Sequence, residues 1–169
     1  MDVTSQDNDE LEILKTVLGK IDALEREGTE SIYTRIYENQ PLILSMMMMY
    51  EDNVDLGNLD EEQFNDIRDL LFIVFLFFEE KTNISKAEVT QEAFQEKLEL
   101  NLNFVNYLVG EDLESQAKLT VEDLEKMHFK SLYTTLTQMA NDYNSFIKMD
   151  HNLRGAIFLE IKTLGMLQK

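Results

Sequence analysis

The chain contains no cysteine, no tryptophan, one proline, six glycines and two histidines. Without cysteine there can be no disulfide, no thiolate metal site and no cysteine nucleophile. One proline and six glycines are too few for the many tight turns of a β-sandwich or barrel. Two histidines leave little room for a histidine-rich metal centre or a Ser-His-Asp arrangement. Neither a glycine-rich phosphate loop nor a Gly-x-Ser-x-Gly elbow occurs.

Positive charge is also scarce. Fifteen Lys and Arg stand against 33 Asp and Glu, for a formal net charge of -18. Residues 1–62 carry -12 of it, residues 63–115 carry -7, and residues 116–169 come out at +1. Such a surface repels phosphate backbones, and the first 62 residues contain no basic recognition helix, so nucleic acid is not an expected partner. The longest apolar run, Leu70 to Phe78, is nine residues, about half of the roughly 20 that span a bilayer. No membrane partner is expected. The stretch Met1–Glu10 lacks the basic start and apolar stretch of a signal peptide, which makes a cytoplasmic location the expectation.

What is present favours helix. Leu, Glu, Lys, Met, Gln and Ala fill the long stretches between the few turn signals. A length of 169 residues suits one domain with a sizeable core. The run Leu70–Phe78 leaves no polar face, so its helix must be covered on all sides. Asp60 and Gln63 have the spacing of a capping box, and Thr82-Asn83 breaks the pattern, which places this central helix at about 61–80.

Around it the periodicity predicts further helices. Residues 1–8 carry no pattern and are expected to be a disordered acidic N-terminus, ahead of a single domain over 9–169. Leu11, Leu14, Leu18, Ile21 and Leu24 form one helical face, closed near Gly28. Thr29 can cap a second segment with Ile32, Tyr33, Ile36 and Tyr37, and Pro41 then kinks or restarts the chain. Asn53 to Leu59 reads as a loop. Ser85 and Glu88 offer another capping box before Val89, Phe94, Leu98, Leu102, Val105 and Leu108, which end at Gly110. Glu111 to Lys118 reads as a polar connection. Thr120 and Asp123 open a helix expected to be the longest, with Val121, Leu124, His128, Leu132, Met139 and Phe146 on one stripe. Asp150 caps a last helix carrying Leu153, Ile157, Ile161, Leu164 and Leu167. The expected fold is therefore all-α: a single antiparallel bundle of about six helices.

The chemistry-bearing patterns are fragments. Glu125-x-x-His128 has the spacing of bundle di-iron sites, but the second pair is missing: Lys148 stands three residues before His151. Glu96-x-x-Glu99 and Glu122-x-x-Glu125 could hold a divalent metal against a nucleotide phosphate if their helices converged. Among 33 acidic residues such spacings also arise by chance, and a solvated surface explains them as well. No cofactor is expected. Met46 to Met49 point around a helix in successive steps of about 100°, so some meet the core and others do not; gap filling in the core is the stronger reading.

The last helix shows a second apolar face. Leu159 and Met166 point away from its main stripe, with Phe158 on the flank and Gly155 permitting close approach. That face is covered either by the chain itself or by a symmetry mate. Three functions follow, in order of expectation. The first is a non-enzymatic helical interaction or regulatory protein, self-associating as a homodimer through its C-terminal helices. The second is an acidic inhibitor of a basic protein partner, such as an immunity protein or DNA mimic, using Asp52, Asp55, Asp60, Glu61 and Glu62. The third is a metal-dependent hydrolase built on the paired helix carboxylates.

Overall fold

The computed structural model describes residues 5–55, 58–82, 89–127 and 129–167. Among these the chain is all-α, with nine helices and no strand: α1 Ser5–Asp22, α2 Arg26–Asn39, α3 Pro41–Asp55, α4 Glu61–Thr82, α5 Gln91–Val109, α6 Leu113–Glu125, α7 Lys130–Asp142, α8 Asn144–Lys148 and α9 His151–Leu167. None of the helices among the described residues is long and apolar enough to cross a membrane.

Helix α4 starts as its sequence requires. The Asp60 carboxylate accepts from the Gln63 amide at 2.8 Å, and the Gln63 side chain accepts from the Asp60 amide at 3.0 Å. Leu70 to Phe78 are each at most 1% exposed. Burial on every side is achieved because α1, α3, α7, α8 and α9 all pack against α4. Tyr33 meets Phe72 edge-on at 5.2 Å, and Phe129 meets Phe77 and Phe78 at 5.8 and 4.9 Å. Arg35 lies over the Phe75 ring at 5.9 Å and Arg68 over Phe72 at 5.8 Å. Where the apolar run ends, Glu79 pairs with Arg35 of α2, Glu80 with Lys20 of α1, and Lys81 lies 3.8 Å from Glu10.

The chain restarts at Pro41, the first residue of α3, after Gln40 leaves helical geometry at φ -144°. The methionines divide two and two: Met46 and Met47 enter the core, whereas Met48 and Met49 are exposed. Asp150 caps α9, its carboxylate accepting from the amides of Asn152 and Leu153 at 2.9 and 3.2 Å.

Several boundaries differ from the sequence expectation, and the described residues form nine helices against about six expected. Glu25 and not Thr29 is the N-cap of α2, and α3 runs to Asp55, into the expected loop Asn53–Leu59. Helix α1 begins at Ser5, ahead of the expected Asp9. It ends at Asp22, so the break falls at Ala23–Glu25 and Gly28 sits inside the first turn of α2. There a Cβ would lie 3.0 Å from Leu24, so the small residue lets the connection fold back closely. The expected polar connection Glu111–Lys118 is largely helical. Asp112 caps α6 by accepting from the Ser115 amide at 2.9 Å and its hydroxyl at 3.0 Å, which shortens the connection to Gly110–Asp112. Finally, the expected longest helix is interrupted twice. It stops at Lys126, whose amide bonds to the Asp123 and Leu124 carbonyls, because Phe129 turns inward onto Phe77 and Phe78. It breaks again at Tyr143, within a run of Asn, Asp and Asn that competes for backbone hydrogen bonds. Ser85, Glu88 and His128 lie outside the described residues; α5 is capped instead by Thr90, whose hydroxyl accepts from Ala93 at 3.2 Å.

Candidate functional surface on α5 and α6

Helix α5 carries two apolar seams, offset by one residue. The inner seam, Phe94, Asn101, Phe104 and Leu108, faces the protein. Asn101 donates to the Thr163 hydroxyl of α9 at 2.9 Å, in a site where both residues are buried. Phe104 receives the Lys162 ammonium over its ring at 5.1 Å. These contacts, together with extensive packing on α9, fix the rotation of α5.

That rotation leaves the outer seam uncovered. Leu98, Leu102, Val105 and Val109 recur in steps of four, three and four, the spacing of a coiled-coil contact. Leu98 is half-buried, whereas Leu102, Val105 and Val109 are 45%, 42% and 77% exposed. Across the short Gly110–Asp112 turn, Leu113 is 83% and Val121 is 48% exposed. With Leu100 and Tyr107 these make seven of the twelve exposed large apolar side chains among the described residues, all within α5 and α6. Single exposed apolar residues need no explanation, but a concentration of them does.

The same segment is also uncharged, as are Asn39–Tyr50 and Ser131–Asn141. Leu100 to Gly110 is eleven residues without one ionisable acid or base other than the Tyr107 phenol, in a chain that is 28% charged.

The carboxylates weighed as metal ligands are spread over this hairpin. Glu96 and Glu99 are exposed on α5, Glu125 is exposed on α6, and Glu122 is half-buried 3.9 Å from Lys118. Among the described residues no three His, Asp or Glu side chains gather as a metal-holding group. The four residues weighed as a self-association face of α9 meet different surroundings. Phe158 packs edge-on against Phe146 at 5.5 Å. Leu159 lines a cavity with Phe104, Val105 and Leu108 of α5, and Met166 lies beside Phe129 and Leu132. Gly155 faces open space. On the acidic side, Asp52, Asp60, Glu61 and Glu62 are all exposed around the α3–α4 turn, where Asn58 and Leu59 donate back to the Asn53 carbonyl. The side chain of Asp55 lies outside the described residues.

Two partly buried acids stand apart from these surfaces. The Tyr50 hydroxyl donates to Glu160 at 2.5 Å between α3 and α9. Burial raises the Glu160 carboxyl above its ordinary range, against the lowering effect of that hydrogen bond. Burial likewise raises Asp66, against the hydroxyl of Ser145. Tyr143 is pushed up to about 12 by burial and by the carboxylates of Asp69, Asp66 and Asp22. A carboxyl whose folded pKa is raised binds its proton in the folded chain first, so its contribution to stability falls as pH rises through that window. Glu160→Gln keeps a hydrogen-bonding group without the charge. It is expected to be more stable than the wild type at neutral pH, with the difference closing as pH falls below the ordinary carboxyl range. Denaturation midpoints across that range check this; a variant less stable at neutral pH would contradict it.

The fold and surface together define an all-α helical protein with a central helix whose apolar run Leu70–Phe78 is fully covered and a partly uncovered helical hairpin. Compared with protein-family models, curated proteins and solved structures, the chain matches none.

Proposed function

We propose that this chain is a non-catalytic helical interaction protein that acts in the cytoplasm as a homodimer, joined through the outer seam of α5 and the adjoining apolar residues of α6. The observation that supports this reading is the exposed seam Leu102, Val105 and Val109 inside an uncharged eleven-residue stretch. Two copies of net charge -18 repel wherever their acidic surfaces meet. The uncharged stretch lets them approach there with little opposition. The four-three-four spacing is self-complementary in a two-fold antiparallel pairing, which sets Leu98 against Val109 and Leu102 against Val105. In this reading the C-terminal helix α9 supports the seam by holding α5 in place.

Light scattering at low and at high salt tests it. The expected mass is twice the 19.8 kDa chain at both salts, since apolar contact is not screened. Leu102→Glu places a charge against its own copy and should weaken association about 100-fold, equivalent to about 2.7 kcal/mol, with helix content unchanged by circular dichroism. A wild-type monomer at both salts overturns the homodimer. It would turn attention to the acidic α3–α4 turn and a basic protein partner, the second reading, which the exposure of Asp52, Asp60, Glu61 and Glu62 favours.

A further inference from the structure

The fold divides the four consecutive methionines of α3 into two chemical populations. Met46 and Met47 are 6% and 2% exposed, whereas Met48 and Met49 are 57% and 44% exposed. Of the other methionines among the described residues, Met149 is buried, and Met127, Met139 and Met166 are only partly exposed. The division arises because α3 lays one side on α4 and turns the other to solvent, while its side chains advance by about 100° per residue. Met46 and Met47 belong to the main core cluster. They stand one helical turn before Tyr50, whose hydroxyl ties α3 to Glu160 of α9 at 2.5 Å.

What the chain lacks makes the outer pair its reactive group. With no cysteine and no tryptophan, the methionine thioether is the side chain that a two-electron oxidant attacks first. Such attack follows access to solvent, and Met48 and Met49 are the two most exposed methionines among the described residues. The net charge of -18 disfavours the approach of anionic oxidants and leaves an uncharged peroxide unhindered. A sulfoxide at either outer position stands in water, so its new dipole needs no partner within the protein. The same group at Met46 or Met47 would sit in the apolar core, where an unpaired polar group is strongly disfavoured.

We infer that Met48 and Met49 form a reversible oxidation site on α3, whose oxidant is hydrogen peroxide. The sulfur lone pair attacks one peroxide oxygen, and the O–O bond breaks. The new S–OH group passes its proton to the departing hydroxide, giving a sulfoxide and one water. Sulfur gives up two electrons and the peroxide takes them. Reversal draws on two thiols of a separate reductase, which become a disulfide as the oxygen leaves in water. The chain has no cysteine to supply them itself. Met46 and Met47 stay reduced while α3 is folded, so uptake on this helix stops at the outer pair. The site lies outside the α5 seam and does not depend on the homodimer.

The test exposes the full chain to hydrogen peroxide and reads oxygen uptake at each methionine by fragmentation mass spectrometry. Met48 and Met49 are expected to react at least tenfold faster than Met46 and Met47. Helix content by circular dichroism should be unchanged once both are oxidised. In concentrated urea the four rates should converge to within threefold, because the fold and not the local sequence sets the order. Methionine sulfoxide reductases for both sulfoxide epimers, with dithiothreitol, should return the outer pair to the reduced mass. Met48→Leu combined with Met49→Leu should leave α3 without oxygen uptake over the same exposure. Leu102→Glu, which tests the dimer, should oxidise at Met48 and Met49 as the wild type does. Equal rates across the four in the folded chain, or faster uptake at Met127, Met139 or Met166, overturns the inference. So does a loss of helix content on oxidation of the outer pair, or a failure of the reductases to restore it.

Discussion

Phe75→Ala is expected to lower the unfolding free energy by about 3–5 kcal/mol, the range for deleting a buried phenyl ring and leaving its cavity. Phe75 is 1% exposed at the centre of a helix packed against five others, so no neighbour is free to collapse into the space. The loss exceeds simple transfer of the ring because Arg35 also gives up its position over the aromatic face. Urea denaturation measures the difference directly. A loss under about 1 kcal/mol would mean that the run Leu70–Phe78 is not enclosed as the fold describes, since only poorly packed sites lose so little.

Asp123→Ala should cost about 2–3 kcal/mol, below the 3–5 kcal/mol of a fully buried pair because Asp123 retains some contact with water. The cost arises at Lys162, left 7% exposed without its anion, and not from the lost contact as such. Lys162→Met then serves as the informative companion. Replacing the ammonium by an apolar chain of similar length should be near neutral, because it removes the charge that needed compensation. The double variant should be no worse than Lys162→Met alone. If Asp123→Ala costs less than about 0.5 kcal/mol, Lys162 reaches water by another route and the pair behaves as a surface ion pair.

The architecture was legible wherever a residue could act on the chain close to it. Leu70–Phe78 announced a covered helix because nine apolar residues leave no face for water. Asp60 with Gln63, Pro41 and Asp150 marked helix starts through local hydrogen bonding or a missing donor, and each operates as its chemistry demands. The break at Phe129 was not legible in the same way. Its cause is the pair Phe77 and Phe78, some fifty residues earlier in the chain. Asp112 was a local signal that could have been read, since Asp112 and Ser115 have cap spacing before a helix-favouring stretch.

The candidate surface shows the limit most clearly. Phe94, Leu98, Leu102, Val105 and Leu108 read along the sequence as a single stripe, yet they belong to two seams. Which seam is buried depends on where α9 lies, and hence on Asn101 meeting Thr163 across 62 positions. The same holds for Lys162 and Asp123, which are 39 positions apart and unremarkable singly. The carboxylate pairs Glu96–Glu99 and Glu122–Glu125, by contrast, were conspicuous in sequence, and among the described residues they form no metal-holding group.

The covered helix α4 also has a consequence for biogenesis. On the ribosome Leu70–Phe78 is made before α7, α8 and α9, which supply part of its cover and end at Leu167. At about 5–20 residues per second, the wait is on the order of 4–18 s. During it the chain presents an apolar stretch rich in β-branched and aromatic side chains, the composition that nucleates intermolecular strands. Arg68 and Asp69 before the run, and Glu79, Glu80 and Lys81 after it, put charge on both flanks, where such residues oppose strand stacking. The charges that later tie α4 to α1 and α2 thus serve first as guards on a nascent chain.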